Sequence, residues 1–90
     1  NAEGQFWAGY MYLQGEGTEI NDKKAVEWLE KSSNQNNDMA QRTLGILHLE
    51  GKENGIAIEE NKEYGLELLQ KAAEQGNEDA IENLRNYNKS

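Results

Sequence analysis

The feature that most limits what this chain can become is that it writes one stretch twice. Asn21 to Asn37 reads NDKKAVEWLEKSSNQNN, and Asn61 to Asn77 reads NKEYGLELLQKAAEQGN, an offset of 40 residues. At that offset Leu29 falls on Leu69, Lys31 on Lys71, Ser32 on Ala72 and Asn37 on Asn77, and further on Ala40 falls on Ala80 and Leu44 on Leu84. Upstream, AGYMYLQG (Ala8 to Gly15) matches LGILHLEG (Leu44 to Gly51) at an offset of 36. The mismatch between the two offsets places an insertion between Gly51 and Asn61, where KENGIAIEE stands against EGTEI. Insertions of this kind belong in loops, because lengthening a loop costs little closure entropy. A self-similarity of 36 to 40 residues is the period of solenoids built from helical hairpins.

The spacing inside each copy predicts helices. Ala25, Trp28, Leu29 and Ser32 recur at i, i+3, i+4 and i+7, and the second copy answers with Gly65, Leu68, Leu69 and Ala72, one stripe of a helix in each case. Asn21 and Asn61 precede their stripes as N-caps. Gly76 suits the left-handed position that follows a helix, and Asn36 fills the same position in the first copy less comfortably. The earlier helix of each unit carries Gly4, Ala8, Gly9 and Tyr12, then Ala40, Leu44, Gly45 and His48. A glycine inside a helix costs about 1 kcal/mol against alanine. That cost, incurred at one register in both copies, predicts a close approach of two helix backbones.

The resulting map has helices over 2–14, 22–34, 38–50, 62–75 and 78–88, with loops over 15–20 and 51–60. Short connections make neighbouring helices antiparallel hairpins. The predicted fold class is therefore all-α, with antiparallel helix hairpins stacked as a short α-solenoid. One repeat domain is expected over 1–90, with repeat one over 2–37, repeat two over 38–77 and a C-terminal capping helix over 78–90. The last helix keeps Ala80, Ile81, Leu84 and Tyr87 but is otherwise polar, as the end of a solenoid requires. Asn1 in place of a starting methionine reads as a processed product or a piece of a longer protein.

The stretch LQGEGTEINDKKAVEWLEKS resembles the Sel-one-like repeat family, a relative of the tetratricopeptide repeats. In the first copy the resemblance is carried by Gly9, Tyr12, Gly15, Gly17, Asn21, Lys24, Ala25, Trp28 and Lys31. In the second it is carried by Leu44, Gly45, His48, Gly51, Asn61, Gly65, Leu68, Lys71, Ala72, Ala73 and Gly76. Ala8 stands where the family has leucine, Ser32 and Ser33 where it has two alanines, and His48 where it has tyrosine. The second loop lacks the family's glycine-x-glycine, and no cysteine is present for the disulfides of one family branch. The resemblance implies a right-handed superhelix with a concave face, and an adaptor role in which the repeats gather other proteins into a complex.

Charge and composition narrow the partners. Seventeen acids against nine bases give a net charge of −8, a field that repels nucleic acid and anionic lipid. No apolar run approaches the roughly 20 residues that span a bilayer, so neither nucleic acid nor membrane insertion is expected. The absence of cysteine fits a reducing compartment and favours the cytoplasm over a periplasmic or secreted location reached after loss of an upstream signal.

Candidate chemistry is sparse. GEG at 15–17 is not a dinucleotide fingerprint, because position 20 is Ile20 rather than glycine and no strand precedes it. His48 is the single histidine. As a base it would need Ser32, Ser33 or Thr43 beside it, and as a zinc ligand it would need more than Glu50 or Glu53. Its place in the family frame belongs to a packing aromatic. Glu59, Glu60 and Glu63 gather at a helix start, where the positive end of the helix dipole accounts for them. The loop GKENGIAIEEN lacks the alternating oxygen ligands of a calcium-binding loop. No catalytic residue, cofactor or metal is expected.

What remains is apolar surface. Helix 2–14 carries Phe6, Trp7, Tyr10 and Met11 and is apolar nearly all round, which predicts burial on more than one side. Two readings of this surface compete: docking to a neighbouring repeat or chain, which is favoured and has self-association through this helix as one form, and lining a concave groove for a protein or peptide partner. The groove set is Phe6, Tyr10 and Leu13 with the second-copy positions Arg42, Ile46, Leu49 and Glu50. Two rival functions are a small bacterial hydrolase or binder of cell-wall ligands, and an immunity or inhibitor protein using its acidic surface against a basic cleft.

Overall fold

The computed structural model of the chain describes residues 1–14, 22–50, 52–53, 56–57 and 61–89. The elements run α1 (Ala2–Gln14), α2 (Asp22–Asn34), α3 (Asp38–Glu50), β1 (Lys52–Glu53), β2 (Ile56–Ala57), α4 (Lys62–Glu74) and α5 (Glu78–Lys89). α1 pairs with α2 and α3 with α4 as two helical hairpins, while α2 packs on α3 and α4 on α5. The all-α solenoid class holds. Two boundaries move by one residue from the sequence map: α4 ends at Glu74 and α5 reaches Lys89.

The insertion expected to be plain loop contains a short antiparallel pair, with Lys52 opposite Ala57 and Glu53 opposite Ile56. In sequence the two residues between these strands are Asn54 and Gly55, the dipeptide that hairpin turns favour because both positions take positive φ. The GEG stretch, the proposed cap Asn21 and the acids Glu59 and Glu60 lie outside the described residues.

The two turns that end the second helices are built alike. After α2, Asn37 N donates to Ser32 O at 3.2 Å and Asn36 N to Ser33 O at 2.9 Å; after α4, Asn77 N donates to Ala72 O at 3.1 Å and Gly76 N to Ala73 O at 2.9 Å. This is the Schellman arrangement, which needs a left-handed residue just past the helix. Asn36 has φ 68° and Gly76 φ 90°, the two residues the sequence marked for that position. The next residue then starts the following helix. Asn37 Oδ1 accepts from Ala40 N and Asn77 Oδ1 from Ala80 N, both at 2.9 Å. Asn1 plays the same part for α1, accepting from Gly4 N at 2.7 Å, and Asn61 caps α4 through Tyr64 N at 3.1 Å. Each such cap contributes about 1 kcal/mol against alanine.

A pair of amides ties each turn to the first helix of its own unit. Gln35 Nε2 donates to Gln5 Oε1, and at the same registers Gln75 Nε2 donates to Gln41 Oε1 at 2.8 Å. Gln41 is buried and also donates to Asn36 Oδ1 at 3.0 Å, so the left-handed asparagine is held from two sides.

The core fills the space between hairpins. Phe6, Leu13, Ala25, Leu29, Ala40, Leu44, Leu47 and Leu68 form one cluster. Leu69, Ala72 and Ala80 form a second, flanked by Ile46, Leu49, Ala73 and Leu84. Each buried leucine contributes about 1.5–3 kcal/mol. Of the α2 stripe, Ala25, Leu29 and Ser32 are fully buried. Trp28 is only partly so, with the Lys31 ammonium 4.7 Å from its ring centroid. Ser32, which replaces an alanine of the family frame, is tolerated because its hydroxyl donates to Ala2 O at 2.5 Å.

Candidate functional site

Successive helices leave one mixed groove. α1 supplies Phe6, Trp7 and Tyr10, α3 supplies Met39, Arg42 and Thr43, and the turn into α5 supplies Asn77 and Asp79, around a space of about 230 Å³. The helical spacing of Phe6, Trp7 and Tyr10 sets the three rings against one another. Phe6 and Trp7 meet edge-to-face at 5.1 Å, Phe6 and Tyr10 stack at 5.8 Å, and Trp7 and Tyr10 are perpendicular at 5.9 Å. Such packing fixes the aromatic wall before anything binds. Phe6 is buried in the first core cluster, whereas Trp7 is 48% exposed.

The opposite wall is held by polar contacts that tie α3 to α5 and to the turn before it. Arg42 Nε donates to Asn83 Oδ1 at 3.0 Å, tying α3 to α5. Asn77 Nδ2 donates to Asp38 Oδ2 at 2.9 Å while its Oδ1 caps α5. The groove thus presents aromatic surface on one side and one basic and one acidic group, Arg42 and Asp79, on the other.

Of the seven residues assigned to a groove from sequence, three are brought together here: Phe6, Tyr10 and Arg42. Leu13 is 1% exposed and belongs to the first core cluster. Ile46 and Leu49 pack against the second cluster. The cause lies in the next element. Ile46 and Leu49 share their cluster with Ala80 and Leu84 of α5, and Leu49 lies against Gly65 of α4. The Glu50 side chain lies outside the described residues. Sequence reasoning left Trp7, Met39, Thr43, Asn77 and Asp79 out of the groove. Trp7 and Tyr10 stand three apart on one helix, a signal that was readable, but the contribution of the α5 turn required knowing how the hairpins stack.

His48 does not meet the groove. Its ring lies edge-on to Tyr64 at 4.8 Å and its Nε2 is 4.0 Å from Glu30 Oε1, so it packs between α2 and α4 in the aromatic slot the family frame assigns to it. Burial pushes the Tyr64 phenol above its ordinary pKa; the Glu30 charge, its hydrogen bond to Tyr64 and the Glu67 charge add to the rise. A second recess, of about 440 Å³, opens beside Tyr64, Leu68 and Lys71, but Asn36, Gln41 and Gln75 on its rim are engaged with one another. Among the described residues no group of three His, Cys, Asp or Glu could hold a metal, and no helix is long and apolar enough to cross a membrane.

Comparison with known proteins agrees with this fold. The family model described as Sel1 repeat matches residues 2–37 and again 38–77. The fold is similar to the crystal structure of a Sel1 repeat protein from Oxalobacter formigenes, with a TM-score of 0.85 and 28% identity over 96% of this chain. The chain spans 62% of the length of that solved relative. No curated protein matches the chain. Sel1 repeats are generally protein-interaction modules, and two matches covering residues 2–77 place the chain among them: it belongs to the Sel1 repeat family.

Proposed function

We propose that the chain is a non-catalytic adaptor module that seats a protein or peptide segment in the groove between α1, α3 and the start of α5. The observation that carries this reading is the preset aromatic wall of Phe6, Trp7 and Tyr10 facing Arg42 and Asp79 across a space of about 230 Å³. That volume accepts one or two side chains, so the groove anchors a segment rather than enclosing a ligand. Tyr, Trp and Arg are the residues that most often dominate interface energetics. Because the rings are already packed and Arg42 is already tethered, little side-chain ordering remains to oppose binding.

The test is a display selection of random peptides on the whole chain, followed by calorimetry of a selected peptide on variants. Tyr10→Ala and Arg42→Ala should each weaken binding by about tenfold or more, equivalent to about 1.4 kcal/mol, while circular dichroism stays unchanged. Ile46→Ala should lower stability without a comparable loss of affinity. Unchanged affinity in both groove variants would remove the groove from the account.

A further inference from the structure

We propose, on the footing that the groove seats a partner segment, that the segment it selects carries a lysine or arginine side chain, which enters between the rings of Trp7 and Tyr10 and the carboxylate of Asp79. The chain's other aromatic side chains show what such rings take. Tyr12 has the Lys24 ammonium 5.6 Å from its ring centroid, and Trp28 has that of Lys31 at 4.7 Å. Among the described residues no lysine or arginine lies over Trp7 or Tyr10, although Trp7 is 48% exposed and Tyr10 is half-buried. An aromatic face attracts a cation through its quadrupole, most strongly where a partner excludes water from the contact.

Asp79 supplies the opposing charge. Of the two acids beside the groove, Asp38 is engaged, its Oδ2 accepting from Asn77 Nδ2 at 2.9 Å. Asp79 is exposed and forms no ion pair among the described residues, with Arg42 or with any other base. The helix dipole alone accounts for an acid in the first turn of α5. What gives this acid a ligand chemistry is the pair of uncovered rings lining the same space of about 230 Å³. The repeat does not itself demand an acid there: at the offset of 40, Asp79 falls on Met39, which lines the groove as an apolar residue.

The wider field has the same sign. The first helices α1, α3 and α5 carry six acids against three bases, whereas α2 and α4 carry six against five. The side of the stack that bears the groove is thus the more acidic, and it draws a basic segment in. Arg42 does not reverse that preference, because its Nε is already spent on Asn83.

The test displays random dodecapeptides against the whole chain and titrates the selected peptides calorimetrically. Lysine or arginine should be enriched at one position beside a bulky apolar residue. Replacing that residue by norleucine should weaken binding about tenfold. Asp79→Asn should weaken the selected peptide several-fold and its norleucine form hardly at all, a coupling that marks direct contact. Glu27→Gln, the same charge change on exposed surface of α2, should leave affinity within about twofold. Peptides that lose affinity with Tyr10→Ala, yet show no enriched cation or tolerate norleucine or Asp79→Asn, would overturn this proposal and leave the groove reading standing. So would a selection enriched in Asp or Glu, which would make Arg42 the group that is read. Basic peptides indifferent to Tyr10→Ala, or weakened as much by Glu27→Gln as by Asp79→Asn, would overturn it by assigning the binding to overall charge. A selection that yields no binder would overturn both.

Discussion

Gly45 of α3 and Gly65 of α4 face each other so closely that neither position has room for a side chain. A Cβ on Gly65 would stand 2.7 Å from Gly45 O and 2.8 Å from Leu49 N, and one on Gly45 would stand 2.9 Å from Gly65 O. The obstructing atoms are backbone, which cannot swing aside. The first hairpin makes the looser version, with Gly9 against Ala25 O at 3.1 Å.

Alanine substitution should therefore reverse its usual sign here. In an open helix, Gly→Ala stabilises by about 1 kcal/mol. At Gly65 the overpacking cost of roughly 1–3 kcal/mol exceeds that gain, so Gly65→Ala should lower stability by about 1–2 kcal/mol, and Gly9→Ala should cost less. Urea unfolding of the variants measures the order, and a stabilised Gly65→Ala would show that the helices are not in contact at that point.

The two left-handed turn residues should respond differently to one substitution. Gly76→Ala places a Cβ at φ 90° and should cost about 1–2 kcal/mol. Asn36→Ala incurs that strain and also strips the buried Gln41 amide of an acceptor, so about 2 kcal/mol or more is expected. Asn36→Gly removes the strain while losing the same bond, and should fall well short of the alanine variant. Thermal unfolding of the three proteins checks the ranking.

Core and groove residues on α1 should separate by assay. Leu13→Ala empties a fully enclosed site and should cost about 2–5 kcal/mol, with affinity for a selected peptide unchanged in whatever fraction stays folded. Tyr10→Ala should do the opposite. A Leu13 variant that folds normally yet fails to bind would return Leu13 to the groove.

High pH should expose the Tyr64 environment. Its folded pKa is raised, by burial first and then by Glu30, so its contribution is fully present below the unfolded value of about 10. That contribution is lost as pH rises from there through the folded pKa, because the unfolded chain releases the phenolic proton more readily. Stability of the parent should fall over this window, and Tyr64→Phe should flatten the fall. Parallel denaturant midpoints between pH 8 and pH 11 for parent and variant would contradict the assigned cause.

Sequence alone determined the local elements: the cap at Asn61, the left-handed Asn36 and Gly76, and helix limits within a residue. Each is a local preference, decided by a side chain reaching its own backbone or by a glycine's freedom, and local preferences are written in order along a chain. Asn54-Gly55, between the two short strands, is an equally local signal. Only the tertiary structure decided which apolar residues became interior and which became wall. Tyr10 and Ile46 are equivalent by register, yet one lines the groove while the other packs beside Ala80 and Leu84 of α5. Trp28 and Leu68 are likewise equivalent, but only Leu68 has a preceding second helix over it. In a stacked repeat, a side chain's fate depends on whether a neighbour follows or precedes it, and that is a property of position in the stack rather than of the residue.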